Sequence, residues 1–166
     1  SNRLGGNGVA NSTVYGGVAG DVMGQDCQEI KALHDPDETV LDEELTRAMT
    51  PFSQKPGDVT ALRNSLQDVM WEDVGVMRDA DGLQRGLKRI AEIDDELSSV
   101  GVAADNLAFN LSWHDWLNLR SLIDMSIVIA KAALSRENSR GAHFREDFPD
   151  AGAMQESYFT LASGYG

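Results

Sequence analysis

The stretch Asp79-Ala80-Asp81-Gly82-Leu83-Gln84-Arg85-Gly86-Leu87-Lys88-Arg89-Ile90-Ala91-Glu92-Ile93-Asp94-Asp95-Glu96-Leu97-Ser98-Ser99 decides the fold. Leu83, Leu87, Ile90, Ile93 and Leu97 recur at steps of three and four, which gathers them on one face of a helix. Gly101 supplies the stop. The same pattern appears on either side. Before it, Asp58 is placed to cap a helix carrying Leu62, Leu66, Val69, Met70 and Val74, with Gly75 marking its end or a bend. After it, a helix from near Ser112 to about Asn138 carries Trp116, Leu119, Ile123, Ile127, Ala130 and Leu134. Three amphipathic helices of this kind bury one shared seam when they run antiparallel. The expected fold class is therefore all-α, a three-helix antiparallel, spectrin-repeat-like bundle. No segment reads as a strand.

Upstream, residues 25–57 are polar and acidic, with Pro36, Pro51 and Pro56 as breakers. A short helix is expected from about Glu38 to Met49, capped by Asp37, with a modest stripe of Val40, Leu41, Leu45 and Ala48. The first 24 residues differ again. Gly5, Gly6, Gly8, Gly16, Gly17 and Gly20 are mixed with small residues, which reads as a glycine-rich turn and a small-residue helix running to about Met23. Glycine costs a helix roughly 1 kcal/mol against alanine, so this composition implies close approach to another backbone or a ligand. The tail 151–166 is small and polar apart from a few apolar residues.

Composition narrows the function. A net charge of −13 repels phosphate backbones and argues against nucleic-acid binding. The longest apolar run, Leu122 to Leu134, is broken by Asp124 and Lys131 and is too short for a membrane span. The sole cysteine, Cys27, excludes an internal disulfide and multi-cysteine metal sites, and suits a reducing, cytoplasmic setting. No secretory signal is visible at Ser1.

Two segments carry chemistry. Arg3 stands beside the glycine-rich turn, where a guanidinium can clamp a carboxylate with two parallel hydrogen bonds. Gly8 to Ala10 would then open a helix, whose first N–H groups and partial positive charge suit an anion or an electron-rich ring oxygen. A dinucleotide-binding fingerprint is not formed, since Asn11 stands where its third glycine is required. The second segment, Arg136 to Pro149, concentrates Arg136, Arg140, Arg145, Glu137, Glu146, Asp147 and His143. It reads either as an acid–base cluster around His143 or, more naturally, as an ion-pair and hydrogen-bond network docking a loop against another domain.

His114 and Asp115 between Trp113 and Trp116 read as a helix start. His34 sits in an acidic loop without further ligands, and Asp94, Asp95 and Glu96 form an exposed face. Met49, Met70, Met77 and Met125 read as core filling. No metal site is expected.

Arg3-Leu4-Gly5-Gly6-Asn7 and Gly16-Val18-Ala19-Gly20, together with Arg136 to Pro149, resemble the flavoprotein subunit of the succinate dehydrogenase and fumarate reductase family. Leu66-Gln67, Met70 and Gly75-Val76-Met77-Arg78 add to the likeness. The resemblance implies that residues 1–24 are a C-terminal remnant of an FAD-binding domain, 25–57 a connection, 58–150 the helical C-terminal domain and 151–166 a tail. It implies an FAD-dependent oxidoreductase acting on a C4-dicarboxylate, with Arg3 as substrate-binding residue and the Gly8 and Val9 backbone near the flavin. No catalytic residue would lie within this fragment, which would brace the flavin domain and be inactive alone. Its partners would be the missing FAD-binding and capping domains and, for the parent, an iron–sulfur subunit. Location would be cytoplasmic, or peripheral at the membrane's inner face through other subunits.

The family's usual serine and two leucines after the asparagine are replaced by Gly8-Val9-Ala10. That change keeps an L-aspartate oxidase-like or other carboxylate-oxidising flavoenzyme open as the parent. From another class, an independent helical interaction module is the third reading, which the Arg3-to-Gly20 segment disfavours.

Overall fold

The computed structural model describes residues 6–30, 32 and 35–153. The chain divides into two compact units, 1–44 and 45–166. Among the described residues five α-helices dominate: α1 (Asn7–Glu29), α2 (Glu38–Met49), α3 (Val59–Glu72), α4 (Ala80–Ser99) and α5 (Leu111–Ser135). A 3-10 turn, Thr50–Phe52, follows α2.

In the first unit, α1 begins after Gly6, whose φ of 76° is left-handed and suits glycine. It runs to Glu29, beyond the expected end near Met23, because nothing between Gly24 and Glu29 breaks it. A Cβ placed on Gly8, Gly16, Gly17, Gly20 or Gly24 meets no atom within 4 Å. The helix start of α2 is as expected, with the Thr39 N–H donating to Asp37 Oδ1 at 2.9 Å. Its apolar residues Val40, Leu41 and Leu45 are exposed, and no residue of α2 is buried.

The second unit holds the core. Leu62, Leu66 and Val69 of α3, Leu83, Ile90, Ile93 and Leu97 of α4, and Trp116, Leu119, Ile123, Ala130 and Ala133 of α5 form one cluster. Each of the three helices packs on the other two. Burying such side chains is worth roughly 1.5–3 kcal/mol each. On α5 the buried stripe passes through Ser126, Ala130 and Ala133, while Ile127 and Leu134 sit only at its margin. Met77 and Met125 are exposed, contrary to the core-filling expectation, whereas Met70 packs against the cluster.

Side-chain caps fix all three starts: Asp58 accepts from the Ala61 amide, Asp79 from Gly82 and Asn110 from Trp113. Ion pairs report which ends meet. Asp73, at the end of α3 and 2% exposed, pairs with Arg85 and Arg89 in the first half of α4 at 2.7 and 2.9 Å. Asp94 in α4 pairs with Arg120 of α5 at 2.6 Å, and Arg63 near the start of α3 reaches Asp115 near the start of α5 at 3.6 Å. Asp94 is thus engaged rather than part of a purely solvated face.

One feature corrects the all-α expectation. Lys55–Pro56 (β1) and Val100–Gly101 (β2) form a two-stranded parallel sheet, with Lys55 opposite Val100 and Pro56 opposite Gly101. Two-residue strands are too short to show an alternation. Their pairing is enforced from outside: the Trp116 indole donates to the Val100 carbonyl at 2.8 Å, and the Val102 amide donates to Pro51 at 3.0 Å. Gly101 lies so close to the Gln54 and Pro51 carbonyls that no side chain fits there.

Candidate functional site

Of the residues expected to touch ligand, Arg3 lies outside the described residues. Gly8 and Val9 occupy the first turn of α1, and Val9 is exposed. The Ala10 amide already donates to the Gly6 carbonyl at 3.0 Å, and Ser12 Oγ donates to the Gly8 carbonyl at 2.9 Å. Gly6 has no side chain to cap the helix, and its first turn carries no acid. This end therefore keeps its partial positive charge, and Gly8 leaves the backbone open to close approach.

The loop after α5 is built around Arg145, whose side chain is 1% exposed. Its Nη1 donates to the Ala133 and Leu134 carbonyls, both at 2.9 Å, closing the C-terminal end of α5. Its Nε and Nη2 grip Asp147 as a fork, at 2.7 and 2.6 Å. Asp147 Oδ2 also accepts from the Ala80 amide at 3.0 Å, so one carboxylate joins the start of α4 to the end of α5. That fork first, and then the amide, holds the Asp147 carboxyl at about 2 against an ordinary 3.8. Arg145 also lies over the Phe148 ring, 5.0 Å from its centre.

Around this pair the motif closes on itself. Ser139 Oγ accepts from the Arg145 amide at 2.8 Å and donates to the Phe148 carbonyl at 2.8 Å. Arg136 Nε donates to Oδ1 of the buried Asn138 at 2.9 Å, and Arg140 Nη2 reaches the Ala151 and Ala153 carbonyls. Gly141, at φ 64°, turns the chain between Arg140 and His143. Arg78 completes the set from the α3–α4 connection. Its Nη1 donates to His143 Nδ1 at 3.0 Å, and its carbonyl accepts from the Glu146 amide at 2.7 Å.

The chemistry follows from this accounting. Among the described residues, no buried side-chain polar atom lacks a partner. Among the described residues His143 faces the Arg78 guanidinium and the Arg136 carbonyl, contacts that join the loop to the rest of its unit. Within the described residues the loop docks onto α5, the start of α4 and Arg78. Sequence reasoning named the loop but not Arg78 as its anchor. The available signal was an arginine placed directly before the capping residue Asp79.

The remaining candidates take modest places. Trp113 tilts against Phe52, with ring centres 5.3 Å apart, and donates to the Ala48 carbonyl; His114 beside it is exposed. Cys27 is exposed on α1, and His34 lies outside the described residues. Among the described residues no acid, histidine or cysteine cluster suits a metal, and no helix is long and apolar enough to cross a membrane.

Comparison with known proteins places this architecture. A family model described as the fumarate reductase flavoprotein C-terminus matches residues 63–164. An uncharacterized FAD-dependent oxidoreductase of Methanocaldococcus jannaschii is 33% identical over 152 residues, covering 90% of this chain and 26% of that protein. L-aspartate oxidase 1 of Ralstonia nicotianae is 33% identical over 155 residues, covering 90% and 26%. A solved structure of Mycobacterium smegmatis Sdh1 in complex with UQ1 superposes with a TM-score of 0.68 at 29% identity, covering 76% of this chain and 22% of that one. The chain thus spans about a quarter of the length of its relatives.

Proposed function

The chain belongs to the succinate dehydrogenase/fumarate reductase flavoprotein family through its C-terminal part, and from that membership we propose that it braces the flavin domain of an FAD-dependent dicarboxylate oxidoreductase. Residues 58–150 form the bracing domain, a three-helix antiparallel, spectrin-repeat-like bundle. The ends joined by the Asp73, Asp94 and Asp115 ion pairs support that reading. Residues 1–24 are the remnant of the FAD-binding domain, 25–57 the connection and 151–166 the tail.

The observation that carries the proposal is α1. Val9, Val14, Tyr15, Val18, Val22 and Met23 are all exposed on it, and added side chains at its glycines meet nothing within 4 Å. A helix gains most of its stability by packing an apolar face, and within its own unit this one packs none, which supports a partner surface supplied by the flavin domain. Gly8 and Val9 suit a flavin: they sit in the first turn of α1, which carries no acid. When bound, FAD supplies the two-electron acceptor or donor. Arg3 would hold a substrate carboxylate, while Gly8 and Val9 present backbone N–H groups to the ring. The parent's partners are then its FAD-binding and capping domains and an iron–sulfur subunit. It sits in the cytoplasm, reaching the inner membrane face only through other subunits.

The 33% identity to an L-aspartate oxidase favours a second reading of the substrate, an amino dicarboxylate. One experiment addresses both. The isolated chain should be colourless and inactive, whereas the parent carrying its N-terminal domains should retain flavin and turn over succinate, fumarate or L-aspartate. Stoichiometric flavin on the isolated chain would refute the bracing role. Preference for L-aspartate would select the second reading.

A further inference from the structure

We propose that His143 is an acid-sensitive latch: as a neutral imidazole protonated on Nε2, it ties Arg78 to the end of α5, and protonation breaks that tie and loosens the 140–146 turn. The geometry fixes the tautomer. A guanidinium can only donate, so His143 Nδ1, 3.0 Å from Arg78 Nη1, is an acceptor and carries no proton. Nε2, 3.2 Å from the Arg136 carbonyl, is then the donor. Arg78 itself is held by its Nε, which donates to the Val74 and Gly75 carbonyls at 3.0 and 2.8 Å. It cannot swing aside without breaking those bonds.

A second proton on His143 would leave two donors facing each other. The charged groups around the ring add to the conflict. Arg78 comes from the α3–α4 connection, Arg136 from the end of α5 and Arg145 from the loop itself, while the Arg140 guanidinium is turned to the Ala151 and Ala153 carbonyls. Of the nearby acids, Asp147 is committed to Arg145 and Ala80, and Glu137 and Glu146 are exposed. Burial first pushes the imidazole below 6.5, and the charges of Arg78, Arg136 and Arg145 push the same way, against the Arg136 carbonyl bond. A base depressed in the folded state contributes stability that is fully present above its unfolded value of 6.5 and is lost as pH falls below it. Each unit of depression is worth about tenfold in the opening equilibrium.

The test uses the full 166-residue chain and imidazole ¹⁵N spectra taken through pH 6.5, with His143 assigned by its loss in H143Q. Glutamine can accept from Arg78 and donate to the Arg136 carbonyl without titrating. The expected result is an Nε2–H tautomer with a midpoint below 6.5. Amide protection of Arg140, His143 and Glu146, corrected for intrinsic exchange, should fall with acid in the wild type and stay level in H143Q. An Nδ1–H tautomer, a midpoint at or above 6.5, or an equal acid loss in H143Q would overturn the proposal. Should H143Q not fold, the wild-type midpoint and tautomer decide it.

Discussion

Arg145 is buried and donates to Asp147 and to the Ala133 and Leu134 carbonyls. Replacing it with methionine keeps the apolar stem but strands the Ala133 and Leu134 carbonyls and leaves Asp147 unpaired. A loss of about 3 kcal/mol in urea unfolding is expected. R145K should recover only part of it, because an ammonium cannot form the fork. Asp147 gives a pH signature of its own. Its carboxyl lies at about 2 when folded against 3.8 unfolded, so its contribution is present above 3.8 and fades as pH falls through about 2. In D147N that acid-dependent part of the unfolding profile should vanish, with the chain already weakened at neutral pH. The loop's acids and bases were visible in the sequence. Which of them paired was not, because Asp147 and Ala80 are brought together only by tertiary folding.

At the scale of elements, the sequence was most legible where caps and periodicity agreed. α2 begins and ends where its pattern does, and α4 differs only by its cap residue. α5 was harder. Its residues are apolar on several faces, and Leu122, Met125 and Ile129 remain exposed, so the pattern could not single out the buried stripe. Its start also falls one residue early, at Leu111, because Asn110 is the true cap. Asn110 donates from Nδ2 to the Ala104 and Asn106 carbonyls while accepting from Trp113, so it folds the preceding loop as well. N110A should therefore cost about 2 kcal/mol, at the upper end for a cap, and D79A nearer 1 kcal/mol. Thermal melts of the two variants would check the order.

On the scale of the whole molecule, the parallel pairing of β1 with β2 was illegible, since strands of two residues leave no pattern. It depends on the bare backbone of Gly101. G101A should force the Gln54 and Pro51 carbonyls apart and cost about 2–3 kcal/mol, with the Trp116 fluorescence shifting as its bond to Val100 is disturbed. Of the candidate ligand site, the helix start expected around Gly8 lies at Asn7, while Arg3 lies outside the described residues. The position of Asp147 has a further consequence for how this region comes apart. Its carboxylate holds the first turn of α4 directly and the last turn of α5 through Arg145, so fraying at one end loosens the other. Hydrogen exchange at the Ala80 amide and in the last turn of α5 should therefore rise together in D147N.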